Sequence, residues 1–324
     1  MALYAKERAV AIQAVLQASK VCQSVFQHLV ANETLTKNDK SPVTVADFSA
    51  QAIVNTYLTQ SFPEDPIVGE EDSKDLRGDV GKILREKVFS LTNGVLDAQE
   101  KLTEDQILAA IDRGNYAGGA KGRHWALDPI DVCLALIVDG VVQLGVMGTP
   151  NLPVNAAEPE GPRGSLFVAV RGQGAFQRGF HETSESPIHF ADIDDTKKAT
   201  FCESVEAGHS SHGDAAAIAN LLGITRPSIR MDSQAKYCSI SRGDADIYLR
   251  LPTSKSYEEK IWDHASGNVL VTEAGGKVTD VQGKPLDFSV GRTLAKNKGV
   301  IAANANIFDQ VLAAVQKVLA AKEQ

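Results

Sequence analysis

Asp128-Pro129-Ile130-Asp131 is the stretch of this sequence richest in chemistry. Proline suits the second position of a tight turn, which brings the flanking residues together. Two carboxylates so placed repel each other unless a cation sits between them. No His or Cys joins them, so a hard divalent ion with oxygen ligands, Mg²⁺ or Mn²⁺, suits the pair better than zinc. A solvated surface turn is the plain alternative, and the apolar approach through Trp125-Ala126-Leu127 weighs against it. Glu70-Glu71 follow a short buried strand, Pro66-Ile67-Val68-Gly69, and read either as a loop end or as part of a metal shell. Asp263 stands where a helix begins, and alone a plain N-cap worth about 1 kcal/mol explains it. Asp47 is read as opening a helix after a short strand, Val43-Thr44-Val45. All four acidic features therefore lie at strand ends or helix starts, where α/β proteins place ligands.

Other residues carry weaker signals. His209-Ser210-Ser211-His212 lacks a nucleophile elbow and reads as a ligand contact or a helix cap. Ser233, Lys236 and Arg250 put a hydroxyl and two cations in the C-terminal half, with a solvated face as the alternative. Gly172-Gln173-Gly174 marks a strand turn, without a Walker A or full Rossmann fingerprint. The four cysteines, Cys22, Cys133, Cys202 and Cys238, are widely spaced and read as reduced thiols.

The elements that must position these groups follow from periodicity. Residues 4–31 form an amphipathic helix, and a second helix runs from Asp47 to Pro63. Helices are also expected over 76–91, 103–112, 214–222, 263–274 and 305–322. Strands are expected at 124–127, 132–138, 141–147, 165–170, 175–177, 245–250 and 300–303, with Asp139-Gly140 as a hairpin turn. Four prolines and two glycines within 150–164 suggest a boundary. The expected domains are 1–155, holding most acidic groups, and 156–324. The chain has 324 residues, 33 Lys and Arg against 41 Asp and Glu, and a formal charge of −8. That balance argues against binding nucleic acid through bulk charge. The longest continuous apolar run, Val132–Val138, is far short of the ~20 residues that span a bilayer. A cytoplasmic monomer without a membrane partner is expected.

Taken in order, several motifs resemble one superfamily. They are Ser41-Pro42-Val43-Thr44-Val45-Ala46-Asp47, Val68-Gly69-Glu70-Glu71, Trp125-Ala126-Leu127-Asp128-Pro129-Ile130-Asp131 and Ile261-Trp262-Asp263-His264-Ala265-Ser266-Gly267. Together they resemble the lithium-sensitive, Mg²⁺-dependent phosphomonoesterases of the inositol monophosphatase superfamily. The stretches 208–212, 232–238 and 246–252 are similar to the fungal 3′(2′),5′-bisphosphate nucleotidases within it. The resemblance implies an α+β fold, a layered αβαβα sandwich of the inositol monophosphatase and sugar phosphatase type. It implies hydrolysis of adenosine 3′,5′-bisphosphate, and of phosphoadenosine phosphosulfate, with roles in sulfate assimilation and salt tolerance. Carried over, Glu70, Asp128, Asp131, Asp263 and the carbonyl of Ile130 hold two or three Mg²⁺ ions. Asp47 helps activate water, and His209, Ser233, Lys236 and Arg250 hold the nucleotide. An inositol polyphosphate 1-phosphatase is the alternative within the class.

One departure stands out. The superfamily pattern continues Asp-Pro-Ile-Asp with Gly-Thr and a short Gly-rich, basic helix start. Here Asp131 is followed at once by Val132-Cys133-Leu134-Ala135-Leu136-Ile137, which already reads as the next strand. The segment that the resemblance places there would supply phosphate-binding amides and a hydroxyl partner for Asp47. Three accounts stay open: an inactive or weakly active paralogue that still binds nucleotide, a gene product that has lost an in-frame piece, or a substitute from Gly118-Gly119-Ala120-Lys121-Gly122. The second is favoured, because the surroundings keep so closely to the active pattern.

Overall fold

The computed structural model describes residues 3–31, 41–205, 212–252, 254 and 256–322. Helix α1 (Ala5–Ala31) and helix α2 (Ser41–Ser61) pack against each other and cover one face of a seven-stranded sheet. Its strands lie in sequence order: β1 (Ile67–Gly69), β2 (Arg123–Asp128), β3 (Cys133–Val138), β4 (Val141–Pro153), β5 (Arg163–Val170), β6 (Gly174–Gly179) and β7 (Ser186–Pro187). Only β1 and β2 are parallel; the rest form an antiparallel meander. Strand β3 is wholly apolar because both faces of the sheet are covered. Trp125, Leu127, Leu134 and Leu136 meet α1 and α2, while Ala126, Cys133, Ala135 and Ile137 point the other way.

On that second face lie α6 (Ala235–Ser241) and α7 (Ala265–Glu273). Beyond them is a five-stranded sheet in the order β11 (Gly276–Thr279), β12 (Val300–Asn304), β10 (Ile247–Arg250), β8 (Phe201–Glu203) and β9 (Ile229–Arg230). Tyr248, Val300 and Ala302 face α7, whereas Ile247, Leu249, Ile301 and Ala303 face α5 (His212–Leu222) and α8 (Phe308–Ala320). The layers are therefore αβαβα, as the resemblance implied. Two further helices, α3 (Lys82–Val95) and α4 (Glu104–Asp112), cover the outer side of α2 around Val45, Phe48 and Ala52.

Several local expectations are corrected. Val43-Thr44-Val45 is helix, not strand, and Asp47 lies inside α2 instead of capping it. Pro42 sits in the first turn, where its missing N–H costs no helical bond. Of the alternating pair, Val45 is buried under α3 and α4 while Val43 stays exposed, so the alternation reflects no strand face. The expected division at 155/156 falls in the β4–β5 connection of the first sheet, which continues to Pro187. The change of sheet comes between Pro187 and Phe201. Ala5–Phe26 is long and apolar enough by composition to cross a membrane, which a search for continuous apolar runs passed over. In the fold, Ala11, Ala14, Val15, Ala18 and Val21 are buried against the sheet and α2.

Candidate active site

Asp128 is the last residue of β2, and Glu70 is the first residue after β1, its parallel neighbour. Parallel pairing thus delivers both carboxylates to one end of the sheet. Gln51 of α2 fixes the chain just beyond: its amide donates to the carbonyl of Glu71 at 2.7 Å and accepts the Glu71 N–H at 3.0 Å. Asp263 comes from the turn ahead of α7, and His264, not Asp263, is the N-cap. Glu70, Asp128, Ile130, Asp131, Ser233, Lys236, Arg250 and Asp263 all line one cleft of about 310 Å³, together with Gln234, Tyr248, Tyr257 and His264. Eight of the expected site residues are therefore brought together. Asp47 stands behind them, accepting the backbone N–H of Ile130. His209 lies outside the described residues.

The carboxylates carry the electrostatic signature of an unrelieved cluster. Burial, then Asp131, Asp263 and Glu70, push Asp128 well above the usual carboxylate range. Burial and the Glu71, Glu70 and Asp131 charges raise Asp47 to about 8. Loss of hydration, then Asp263, Glu71 and Asp131, raise Glu70 to about 7, although its side chain still meets solvent at the mouth. Burial lifts Asp131 to about 6, held there by the Gln234 N–H and the Lys236 charge. An all-oxygen set of acids that repel one another is the donor set a hard divalent cation satisfies. The residues present fit such an ion.

Across the cleft stand the cations. Lys236 is buried, and its ammonium donates to the carbonyls of Ser233 at 2.7 Å and Met231 at 3.3 Å. Arg250 donates to Glu259 at 3.2 Å, and the other oxygen of Glu259 lies 3.2 Å from His264 Nε2. Tyr237 meets His264 Nδ1 at 2.7 Å. Gly267 permits this packing, since a Cβ there would stand 2.3 Å from the Tyr237 ring. Glu259, Asp263 and His264 offer ligand atoms within 4.8 Å of one another, yet Glu259 and His264 are already engaged in bracing Arg250.

The junction after Asp131 has a distinct geometry. Asp128 pairs directly with Cys133, so Pro129-Ile130-Asp131-Val132 is the whole hairpin loop between β2 and β3. Asp131 stays out of the strand, and β3 begins one residue later than the apolar run. Val132 is fully buried with φ of +46°, a left-handed conformation that disfavours a β-branched residue. Beside it opens a second cavity of about 620 Å³, lined by Cys22, Val25, Phe26, Ile130, Leu152 and Met231 among others. The thiol of Cys22 donates to the Ile130 carbonyl at 3.6 Å. Gly118–Gly122 supplies no substitute: Gly122 bonds to Asp139 at the other end of the β2–β3 hairpin, and none of this stretch lines the acidic cleft.

Sequence reasoning missed Gln51, Gln234, Glu259, Tyr257 and Arg292. Gln234 was visible between Ser233 and Lys236, but an amide has no charge to draw attention to it.

An αβαβα sandwich with an acidic cleft between its sheets defines a class of metal-dependent phosphatase, and comparison with known proteins gives its membership. The chain belongs to the inositol monophosphatase family, whose profile matches residues 4–131 and 132–320, two pieces that meet at the Asp131–Val132 bond. It is 48% identical to the 3′(2′),5′-bisphosphate nucleotidase of Schizosaccharomyces pombe, covering 96% of this chain and 95% of that one. It is 47% identical to that of Emericella nidulans over 352 aligned positions, covering 98% and 99% of the two chains. That span exceeds the 324 residues present here, so this relative carries residues that the chain lacks. Solved structures with the same fold include an inositol monophosphatase from Anabaena, with a TM-score of 0.59 at 19% identity, covering 98% of this chain and 97% of that one. SuhB of Mycobacterium tuberculosis matches with a TM-score of 0.59 at 18% identity and 98% coverage of each chain.

Proposed function

We propose that this chain is a Mg²⁺-dependent phosphomonoesterase for adenosine 3′,5′-bisphosphate and its sulfated analogue, with turnover depressed by its shortened connection after Asp131. The observation that carries the reading is the convergence of Glu70, Asp128, Asp131 and Asp263 on one cleft that Lys236 and Arg250 also line. Glu70, Asp128, Asp131, Asp263 and the Ile130 carbonyl would hold two or three ions. Bound there, Mg²⁺ neutralises phosphate charge and acidifies water. Lys236 and Arg250 meet the anionic nucleotide, and Ser233 offers a hydroxyl at the rim. Asp47, once ionised, would help activate the attacking water by taking its proton; the water oxygen bonds to phosphorus as the bond from phosphorus to the ribose oxygen breaks, and that oxygen takes a proton from bulk water. The names of the relatives, at 44–48% identity over nearly the full chain, support this substrate.

The depression follows from Val132. It follows Asp131 at once, where the superfamily pattern inserts the segment bearing the hydroxyl that orients Asp47, and it leads straight into β3. Loss of an aligned general base typically costs 10²–10⁴-fold. The test is phosphate release from adenosine 3′,5′-bisphosphate by the purified chain with Mg²⁺, with and without Li⁺. Slow, Li⁺-suppressed release is expected. No release, with AMP binding retained in calorimetry, would instead favour a nucleotide-binding protein without turnover. Faster release from inositol 1,4-bisphosphate would overturn the nucleotide preference.

A further inference from the structure

We infer that Gln234 is a positioning residue that sets the geometry of the metal-binding carboxylates, an inference that rests on the metal reading above. Gln234 is buried and reaches two segments far apart in the chain. Its side-chain nitrogen donates to Asp128 Oδ2 at 2.7 Å and to the Trp262 carbonyl at 3.1 Å. Its backbone N–H donates to Asp131 Oδ2 at 2.6 Å. Its side-chain oxygen accepts the hydroxyl of Ser266 at 3.3 Å. The Trp262 carbonyl accepts only, so the nitrogen must face it and the oxygen must face Ser266. The orientation of the amide is thereby fixed by its neighbours.

One residue thus touches both acids of the β2–β3 loop and the peptide immediately before Asp263. It also stands between Ser233, whose φ of +76° marks a tightly constrained turn, and Lys236. The first oxygen of Asp128 is held separately, by the N–H of Asp131 at 3.3 Å. Each oxygen of Asp128 therefore has one protein donor and keeps a free lone pair. Outer partners of this kind orient ligands, and their loss typically lowers metal affinity about 10–100-fold. A neutral donor serves here where a Lys or Arg would compete with the ion for the same oxygens. A Glu would set a fourth carboxylate against Asp128, beside Asp131, Asp263 and Glu70.

The experiment is calorimetric titration of the full chain with MgCl₂ alone, and separately with AMP. Gln234→Met keeps the volume and the backbone N–H but removes the amide. It should weaken Mg²⁺ binding by roughly 10–100-fold and change AMP affinity less than threefold. Ser266→Ala keeps the amide but frees its far end, and should give a smaller loss in the same direction. In the Gln234→Met background the second change should cost nothing more. A role in folding alone would lower thermal stability without splitting the two affinities. Wild-type uptake of Mg²⁺ with unchanged affinity in Gln234→Met overturns this inference and leaves the metal reading standing. If that variant does not fold, an unchanged affinity in Ser266→Ala overturns it. A wild-type chain that takes up no Mg²⁺ overturns both.

Discussion

The guanidinium of Arg292 lies over the ring of Trp262, 4.8 Å from its centre, and donates to the Gly69 carbonyl. It also reaches the carbonyls of Gly114 and Tyr116, each at 3.0 Å. One side chain therefore braces the segments that deliver Glu70 and Asp263. Lysine has neither the planar fork nor the flat face for this. Arg292→Lys should lose about 1.5–3 kcal/mol of stability in urea unfolding. A change below about 0.5 kcal/mol would show that the brace is incidental.

Restoring the connection tests the shortening. Gly-Thr and the residues that follow it in the superfamily pattern, grafted between Asp131 and Val132, should raise the rate of phosphate release about 10²–10⁴-fold. AMP affinity should stay within threefold. A graft that folds and works no faster would refute the shortened loop as the cause.

The acid cluster gives a pH dependence with a definite sign. Asp131, Glu70 and Asp47 hold their protons up to about 6, 7 and 8 in the fold, against about 4 in an unfolded chain. Between these limits the folded state binds more protons, so the cluster's contribution to stability falls as pH rises from 4 toward 8. Mg²⁺ competes with those protons. The rise in melting temperature on adding Mg²⁺ to EDTA-treated protein should be larger at pH 8 than at pH 6. Equal shifts in scanning fluorimetry at both values would contradict the cluster.

His124 acts with the opposite sign. It is fully buried on β2, both ring nitrogens lack partners among the described residues, and its ring packs against Tyr116 with centroids 5.5 Å apart. Burial lowers its pKa, so below about 6.5 the unfolded chain takes up a proton that the fold refuses. Its penalty therefore grows as pH falls. His124→Phe keeps a ring against Tyr116 and should stabilise the protein by about 1–3 kcal/mol at neutral pH. The gain should increase at pH 5.5. A loss of stability at both pH values would mean that the imidazole is satisfied in solution.

The mixture of strands and helices was legible from local patterns, whereas the αβαβα layering and the gathering of the acids were legible only from the motifs taken together in order. Apolar runs ending in Asp128 and Glu70 located both a strand and a ligand-bearing end in one stretch. The start of α2 was not legible: Val43 and Val45 alternate like a strand, and only the packing of α3 and α4 on Val45 explains the helix. The divide at 150–164 failed as a guide because β4 runs on to Pro153 and pairs across that bend. Gln234 and Arg292 escaped notice because their partners are carbonyls and carboxylates from distant segments. Spacing along the chain carries no trace of such contacts.

With Asp128 opposite Cys133 in the ladder, the four-residue loop between them has no independent freedom. In a longer connection, the acidic turn could open and close while the sheet stayed intact. Here it is a bracket welded to two interior strands, sealed by the Val132 N–H to Pro129 and the Gly148 N–H to Val132. Amide exchange at Val132 and Gly148 should then track global unfolding instead of local breathing.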